Sequence, residues 1–458
     1  MELRDYQISA IEQLRAAYTA GHAGAILELG TGAGKTVTAA SVCASAVGLG
    51  GWVLWVAHRR ELLTQAEATM RQLSLSRALD TRRVELATVQ SLAARLHKLG
   101  DIEPPAVIVV DEGHRALAAS YRQIFAHWPS AFRILLTGTA WRSDKQNFAP
   151  VASALVRGPS VGELTAAGWL VPACYWSIPG VDLSGVRSAR GDYRADDLAH
   201  AFDRPKLVGD VADTYARLAS DRRGVVFASG VDHARHIASE LSARGIVAKA
   251  VHGAMSRVER ESALVGHYVG SVQVLTSAEL LVEGWDCPAV SCVSFARATQ
   301  SEIVWRQAIG RGLRLADGKT DCMVLDHGGN VHRLGDVAER LEYQPGSDGQ
   351  RGTQRDAISL LTCQSCWAVL PSRPRPAACS RCGAELPVAS RAQLVTSSGE
   401  LERVTTPQRA AKPATDWELW RQIDAERKAR GYKPGWTWAQ YGLRSGLQKW
   451  KATQEATP

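Results

Sequence analysis

Long hydrophobic runs are missing from this sequence of 458 residues. It contains no uncharged apolar stretch of about 18 residues, so we predict no membrane-spanning helix and no membrane partner. The segment from Met1 to Asp5 lacks the charged and then apolar pattern of a secretion signal. We therefore expect a cytoplasmic protein. A nuclease signature is also missing, so we do not predict cleavage of nucleic acid.

The length predicts two to four domains, and a hydrophobic content of 45% allows large cores. The net charge of +8 is concentrated at one end. Residues 401–458 contain 11 Lys and Arg against 6 Asp and Glu, and they are rich in tryptophan. This tail either stacks bases and neutralises phosphates, or forms a small helical pair that packs its tryptophans against the body. The sequence leaves both alternatives open.

Five of the nine cysteines lie singly among apolar residues, which is typical of small buried side chains. The other four form two Cys-x-x-Cys pairs, Cys363 with Cys366 and Cys379 with Cys382, twelve residues apart. Without a secretion signal this spacing indicates a metal site rather than disulfides, and four thiolates suit Zn²⁺. Such a module binds nucleic acid, docks a partner, or staples a segment that is too small for its own core.

A glycine-rich turn follows the apolar residues Ala25 to Leu27 and leads into a predicted helix. It consists of Gly30, Thr31, Gly32, Ala33, Gly34, Lys35 and Thr36. Backbone N–H groups of such a turn and the helix N-terminus converge on phosphate oxygens. Lys35 supplies a cation for the β- and γ-phosphates and Thr36 a hydroxyl for Mg²⁺. The turn therefore predicts a nucleotide site.

Two adjacent carboxylates, Asp111 and Glu112, end a strand predicted from Val107 to Val110. Asp111 is suited to hold Mg²⁺ opposite Thr36. Glu112 is suited to activate the water that attacks the γ-phosphate. Upstream, the amide of Gln7 carries the donor and the acceptor that an adenine edge requires.

Apolar strands alternate with helical segments through most of the chain, which predicts parallel sheets in two lobes. In the second lobe Gln307, Arg311 and Arg314 fall on one helix face. Such arginines are suited to reach a triphosphate across a cleft, whereas the alternative is a solvated basic face. Gly310 and Gly312 are costly on a surface helix, which favours close approach of another segment.

Over about residues 1–335 the chain resembles the superfamily 2 helicases, because similar short motifs occur in the same order. The segment from Leu3 to Gln7 resembles the adenine-binding segment of these helicases. It is followed by segments that resemble motifs I (30–36), Ia (56–63), Ib (88–92), II (111–114), III (137–140), IV (225–229), V (274–288) and VI (307–314). The segment from Gly310 to Asn330 and the cysteine module resemble the RadD-like bacterial and phage branch. Gly113 in motif II and Gly138 in motif III depart from the usual pattern of these helicases. At each position one small residue replaces another.

The resemblance implies a role for each residue of these motifs. We expect the following catalytic residues: Lys35, Asp111, Glu112, His114, Gln307, Arg311 and Arg314. The expected nucleotide-binding residues are Arg4, Gln7, Gly30, Thr31, Gly32, Ala33, Gly34, Lys35, Thr36, Gly284 and Asp286. The expected nucleic-acid contacts are His58, Arg59, Thr88, Gln90 and Thr276. The expected cofactors are ATP, Mg²⁺ held by Thr36 and Asp111, and Zn²⁺.

The predicted fold class is α/β, with two tandem RecA-like parallel-sheet lobes, a small Cys₄ zinc module and a basic, Trp-rich tail. The expected segments are a first lobe (1–150), a connector (151–205), a second lobe (206–340), the zinc module (358–388), a linker (389–415) and the tail (416–458).

The predicted function is an ATP-dependent helicase or translocase that acts mainly on single-stranded, forked or branched DNA in replication, recombination or repair. A single-strand-binding or recombination protein is a further predicted partner. The alternative is a nucleic-acid-dependent ATPase that remodels such intermediates with a partner and unwinds little. An ATP-gated binding module without turnover is disfavoured, because Lys35, Asp111, Glu112 and Arg311 are all present.

Overall fold

A computed structural model of the chain describes residues 2–73, 75–100, 102–140, 148–178, 183, 186–189, 191–203, 205–278, 280–281, 285–340, 360–371, 376–386, 417–430 and 437. Residues 1–388 form one compact unit and residues 389–458 a second, which is described separately below.

The first lobe is a six-stranded parallel sheet covered by helices. Its strands are β1 (Gly24–Glu28), β2 (Val53–Ala57), β3 (Val84–Thr88), β4 (Val107–Val110), β5 (Phe132–Thr137) and β6 (Ala154–Arg157), in the spatial order β3-β2-β4-β5-β1-β6. Its helices are α1 (Asp5–Thr19), α2 (Lys35–Gly48), α3 (Arg60–Gln72), α4 (Ser76–Asp80), α5 (Val89–Arg95) and α6 (Ala119–His127), with short 3₁₀ helices at Leu96–Lys98 and Gly113–Arg115.

The second lobe repeats this architecture. Its strands are β7 (Ala173–Ser177), β10 (Gly224–Ala228), β11 (Ala248–Ala250), β12 (Val274–Ser277), β13 (Cys292–Ala296) and β14 (Cys322–Asp326), and the short hairpin strands β8 (Ser188–Ala189) and β9 (Asp192–Tyr193) lie between β7 and β10 in the chain. The spatial order is β11-β12-β10-β13-β14-β7, and every pair is parallel. The helices from the connecting segment onward are α7 (Val161–Ala166), α8 (Ala195–Phe202), α9 (Pro205–Leu218), α10 (Val231–Ala243), α11 (Arg257–Val269), α12 (Glu302–Gly312) and α13 (Asn330–Leu334).

Strand composition explains this arrangement. The central strands β2, β4 and β10 are runs of apolar residues that are buried along their whole length. Such runs require cover on both faces of the sheet, which crossover helices provide in parallel sheets. Burial of one large aliphatic side chain contributes about 1.5–3 kcal/mol. The predicted fold class of two parallel-sheet α/β lobes is confirmed.

The segment predicted as a connector does more than join the lobes. It contributes β6 as an edge strand beside β1 of the first sheet. It also contributes β7 as an edge strand beside β14 of the second sheet. This segment therefore contributes a strand to the sheet of each lobe.

The four-cysteine segment packs against the edge of the second sheet. Its strands β15 (Leu360–Thr362) and β16 (Val369–Pro371) form an antiparallel pair. An antiparallel bridge joins Ala368 to Trp176 of β7, and the Trp176 ring lies under the Arg381 guanidinium, 5.2 Å from its centre. The segment thus covers an edge strand that would otherwise expose unpaired backbone groups.

The second unit is described only at α14 (Trp417–Ala429), Arg430 and Thr437. Ile423 is buried, and the Thr437 hydroxyl donates a hydrogen bond to Asp424 Oδ1 at 3.2 Å. The tail aromatics Tyr432, Trp436, Trp438, Tyr441 and Trp450, and the side chains of Trp417 and Trp420, lie outside the described part. Within the described part, no helix is both long enough and apolar enough to span a bilayer.

Candidate active site

The predicted phosphate loop lies between β1 and α2. Gly32 and Gly34 have φ angles of +87° and +79°, a backbone region that favours glycine. Gly34 is the N-cap residue of α2, so the loop ends directly on the helix N-terminus. The loop conformation therefore places backbone N–H groups and the positive end of a helix together, as an anion site requires.

Lys35 is the first residue of α2, directly after this loop. Its Nζ donates hydrogen bonds to the carbonyl oxygens of Leu29 at 3.1 Å and Gly30 at 3.5 Å. Desolvation lowers the pKa of Lys35, and the nearby carboxylates of Glu112 and Asp111 oppose that shift. The ammonium is thus a desolvated cation held by two carbonyls of the loop, a position from which it fits phosphate oxygens.

Asp111 and Glu112 follow the end of β4 and are both buried. The N–H group of Glu112 donates to Asp111 Oδ1 at 3.0 Å. Glu112 has φ +52° and ψ +56°, a left-handed conformation that costs a non-glycine residue about 1–3 kcal/mol. Two buried carboxylates and the Thr36 hydroxyl line one cavity, and this all-oxygen set fits Mg²⁺.

Helix α12 and Arg314 just beyond it bring the second lobe to this centre. Because α12 ends at Gly312, the predicted shared helix face includes Gln307 and Arg311 but not Arg314. Gln307 Nε2 donates to Glu112 Oε2 at 2.7 Å. Arg311 donates to the carbonyl oxygen of Trp285 at 2.7 Å, and Arg314 forms an ion pair with Asp286. Gln307 and Arg311 are buried, so the alternative of a solvated basic face is wrong for these two residues.

Two contacts show how closely the lobes approach. A Cβ atom on Gly310 of α12 would overlap the side chain of Thr31 in the phosphate loop. A Cβ atom on Gly32 would lie 3.3 Å from Cγ of Arg314. The close approach predicted from Gly310 is therefore confirmed. Burial lowers the pKa of Arg314 to about 10, which leaves it charged at neutral pH.

The cavity between the lobes has a volume of about 510 Å³, within the range of small-ligand sites. The structure brings most of the predicted nucleotide residues to this cavity, namely Arg4, Thr31, Gly32, Gly34, Lys35, Thr36, Asp111, Glu112, Asp286, Arg311 and Arg314. Gly30 and Ala33 lie in the same loop, and Gly284 lies outside the described residues. His114 approaches the same carboxylate, with Nδ1 3.4 Å from Glu112 Oε2.

Gln7 is bound to the loop itself. Its Oε1 accepts from the Arg4 N–H at 2.9 Å, and its Nε2 donates to the Ala33 carbonyl at 3.4 Å. Arg4 stacks 4.1 Å from the ring centre of Trp169, which also lines the cavity. Our sequence interpretation missed Trp169, although a tryptophan in the Gly- and Pro-containing connecting segment was the available signal.

Four of the five predicted nucleic-acid residues lie at or just after the carboxyl ends of strands. His58 and Arg59 follow β2, and Thr88 ends β3 and caps α5 by accepting from the Ser91 N–H at 3.3 Å. Gln90 is exposed in the first turn of α5. Thr276 lies inside the second lobe, where its hydroxyl donates to the Ala234 carbonyl at 2.6 Å.

The four cysteines of the edge segment meet in space. Their Sγ atoms all lie within 4.8 Å of one another. Cys363 and Cys382, and likewise Cys366 and Cys379, have Sγ atoms 3.7 Å apart. Zinc–sulfur bonds of about 2.3 Å in a tetrahedron place sulfurs about 3.8 Å apart, so the cluster fits Zn²⁺.

The two glycine departures in the motifs are not equivalent. A Cβ atom on Gly113 would lie 2.8 Å from Leu135 Cβ and 2.9 Å from the Leu135 carbonyl carbon in β5. A Cβ atom on Gly138 would meet Thr31 Oγ1 at 3.6 Å and Lys35 Nζ at 3.7 Å, which are ordinary contacts. Backbone approach thus requires glycine at position 113 but not at position 138.

Gly113→Ala is therefore expected to lower the free energy of unfolding by about 1–3 kcal/mol, because the new methyl group must displace β5 backbone. Urea unfolding measures the change. Gly138→Ala is the matched control, with an expected change below about 1 kcal/mol. Equal stability of the two variants would contradict the packing argument.

Two family models match the chain. The model described as "Type III restriction enzyme, res subunit" matches residues 1–142. The model described as "Helicase conserved C-terminal domain" matches residues 207–316. The chain belongs to the superfamily 2 helicases. Family membership implies ATP as the nucleotide, with Mg²⁺, and ATP hydrolysis as the reaction.

Individual relatives are similar to this chain over much of its length. A "51.5 kDa protein" of a Lactococcus phage is 27% identical over 375 residues, covering 81% of this chain and 80% of that protein. The "Putative ATP-dependent helicase IRC3" of Saccharomyces cerevisiae is 27% identical over 352 residues, covering 71% of this chain and 51% of the relative. The helicase thus spans about half the length of the yeast relative.

Among solved structures, the ATP-dependent type ISP restriction-modification enzyme LlaBIII, solved bound to DNA, has the same two-lobe fold. Its TM-score is 0.54 at 16% identity, covering 71% of this chain and 28% of that one. This likeness concerns the fold. Assignment to the RadD-like branch stays a prediction.

Proposed function

We propose that this helicase is an ATP-driven translocase that acts mainly on DNA. The observation that carries the proposal is the buried hydrogen bond from Gln307 in the second lobe to Glu112 in the first, where Glu112 lines the nucleotide cavity. Through it the residue expected to activate water senses the position of the other lobe. Hydrolysis and relative movement of the lobes are coupled in this arrangement.

Each residue of the site has a distinct proposed role. The phosphate loop and Lys35 bind the phosphates, Thr36 and Asp111 hold Mg²⁺, and Glu112 orients the attacking water. Mg²⁺ supplies charge neutralisation at the phosphates when bound. Arg311 and Arg314 face the same cavity from the second lobe and stabilise charge that develops in the transition state.

Phosphate release removes the anion that holds Arg311 and Arg314 against the first lobe, so the lobes separate. The carboxyl edges of both sheets, with His58, Arg59, Thr88 and Gln90 on the first, then shift relative to each other along a bound strand. Thr276, which is buried, supports its strand and does not contact nucleic acid in this proposal.

The preference for DNA rests on charge and on relatives. The excess of basic residues in 401–458 favours a polyanion. One of the family models is named for a restriction-enzyme subunit, and LlaBIII was solved with DNA. Replication, recombination or repair is the proposed setting.

A second candidate is an ATPase that remodels branched DNA with a partner, such as a single-strand-binding or recombination protein. The small size of the segment between the lobes favours this second candidate. The described residues between β5 and α9 contain only short strands and the two helices α7 and α8, without an inserted domain.

ATPase rates with single-stranded, duplex and forked DNA and with RNA test the proposal, with the rate of the protein alone as baseline. We expect strong stimulation by DNA, greatest with forks. Stimulation mainly by RNA would overturn the DNA assignment. Absence of stimulation by every nucleic acid would reject an autonomous translocase and favour the partner-dependent remodeller.

We also propose that the four cysteines bind one Zn²⁺ that holds the edge segment together. Purified protein is expected to contain about one zinc ion per chain by elemental analysis. Cys379→Ser should lose the metal, whereas Cys43→Ala, at a buried cysteine of the first lobe, should retain it. A metal-free protein with the edge segment protected from proteolysis would contradict this proposal.

A further inference from the structure

A second cavity, of about 710 Å³, lies in the second lobe away from the nucleotide. Ser177, Ala296 and Asp326 line it, and they are the last residues of β7, β13 and β14. In a parallel sheet these ends share one edge, which is also the edge where β10 and β12 end. The cavity therefore opens on the side of the sheet where the proposed function places the strand.

The turn after β14 builds one wall of this cavity. Asp326 accepts hydrogen bonds from the Ser177 hydroxyl at 2.9 Å, from Asn330 Nδ2 at 2.8 Å and from the Val331 N–H at 2.8 Å. Its carboxylate is thus fully occupied and fixes the turn that carries His327. This motif, from Leu325 to Asn330, has no role in the nucleotide site.

Two imidazoles line the cavity, and each has one nitrogen that the protein leaves without a hydrogen bond. In the described part of the chain, Nε2 of His233 and Nε2 of His327 find no partner. His233 is buried, at 2% relative exposure, so its unmatched polar atom is costly. A ligand that enters the cavity and reaches these atoms with a polar group would remove this cost.

The protonation of His233 follows from its neighbour. The backbone N–H of Ser229 donates to His233 Nδ1 at 3.2 Å, so Nδ1 is an acceptor. Burial lowers the pKa of His233 and of His327 to about 4, which keeps both rings neutral at physiological pH. The proton of neutral His233 consequently lies on Nε2, a donor for a ligand oxygen or ring nitrogen.

Aromatic rings supply the other walls. Trp176, Phe202 and Trp367 line the cavity, and Trp367 is 41% exposed. Trp367 follows Cys366 directly, and its carbonyl accepts from the Ser177 N–H at 3.1 Å. The four-cysteine segment thus holds a partly exposed tryptophan at the carboxyl edge of the sheet.

The charges of the cavity distinguish a base from a phosphate. Asp210 and Asp213 line it together with Arg217, and the two histidines are neutral. Carboxylates repel a phosphodiester, whereas neutral imidazoles and aromatic faces suit a flat, uncharged heterocycle with polar edges.

We propose that this cavity, here called the edge pocket and defined by His233, His327, Trp176, Phe202 and Trp367, takes an unpaired nucleobase of the bound strand. The inference rests on the proposed function, because it requires a single strand at the carboxyl edge. It assigns the Leu325–Asn330 motif to strand binding rather than to ATP. It also gives the four-cysteine segment a task beyond covering the edge strand.

The test compares two labelled strands of about 20 nucleotides, oligothymidylate and an abasic strand of equal length, by fluorescence anisotropy with the full chain. Trp367→Ala is expected to weaken oligothymidylate binding about 10-fold and to bind the abasic strand as tightly as wild type does. Trp367→Phe keeps a stacking face and should retain most of the affinity. Tyr268→Ala, at an exposed aromatic residue on α11 of the same lobe, is the matched control.

Equal affinity of wild type and Trp367→Ala for oligothymidylate would overturn the inference. A cavity that binds an apolar peptide rather than a base would give this equal affinity. The inference is also overturned if Trp367→Ala weakens the binding of both strands by the same factor. If wild type binds neither strand, the proposed function fails first and the edge pocket with it. Strand binding by wild type therefore tests the proposed function, whereas the comparison of wild type with Trp367→Ala tests the edge pocket.

Discussion

Glu112→Gln is expected to reduce the rate of ATP hydrolysis by about 10³-fold or more while ATP still binds. A buried carboxylate that activates water contributes about 10²–10⁴ to a hydrolysis rate, and an amide cannot accept the proton. The replacement has nearly the same shape. Its amide oxygen remains able to accept the hydrogen bond that Gln307 Nε2 now gives to Glu112 Oε2, so the lobes should still close.

Steady-state turnover and nucleotide affinity, measured on the same preparation, separate the two effects. We expect ATP affinity within about threefold of wild type, because the change leaves the phosphate loop intact. Glu85→Gln, at a carboxylate on β3 that pairs with Arg95, is the matched control and should hydrolyse ATP normally. Turnover near the wild-type rate in Glu112→Gln would remove Glu112 from the role of catalytic base.

Lys35→Ala is expected to abolish measurable turnover and also to weaken ATP binding. The ammonium is desolvated and held by the carbonyls of Leu29 and Gly30, so its position is set before the phosphates arrive. Removal of this cation leaves the charge of the β- and γ-phosphates uncompensated in a cleft that also contains Asp111 and Glu112. Binding and catalysis should therefore fall together, unlike in Glu112→Gln.

Lys319→Ala is the matched control for this prediction. Lys319 is also a partly buried lysine that donates to a carbonyl, that of Pro288 at 2.9 Å, and burial lowers its pKa to about 8. It lies in the second lobe outside the residues that line the nucleotide cavity. Preserved turnover in Lys35→Ala, measured by phosphate release, would reject the assignment of the loop as the phosphate site.

The elements of the candidate site are the part of the structure that local patterns predict. The glycine turn, the carboxylates after β4 and the Cys-x-x-Cys pairs are each determined by a few consecutive residues. Strand, turn and helix geometry places such neighbours without reference to the rest of the chain. For the same reason the two parallel-sheet lobes could be predicted from the alternation of buried strands and helices.

Contacts between distant segments could not be predicted in this way. Trp169 lines the nucleotide cavity because the chain passes from the first lobe to the second at this point. Four residues later it forms β7 of the second sheet. The helicase resemblance implied that Thr276 contacts nucleic acid, whereas the structure buries it and directs its hydroxyl to the Ala234 carbonyl of α10. Exposure depends on which elements cover a strand, and sequence periodicity carries little information about that.

The sequence by itself determined which chemical groups this helicase carries and in what order, because each motif is a local backbone unit. The tertiary structure alone decided which of these groups meet. Gln307 and Glu112 are 195 residues apart and share a hydrogen bond. Gly113 must be glycine only because β5 passes beside it, and Trp367 lines the edge pocket because the four-cysteine segment packs on β7. Such contacts follow from the path of the whole chain, which short-range propensities do not specify.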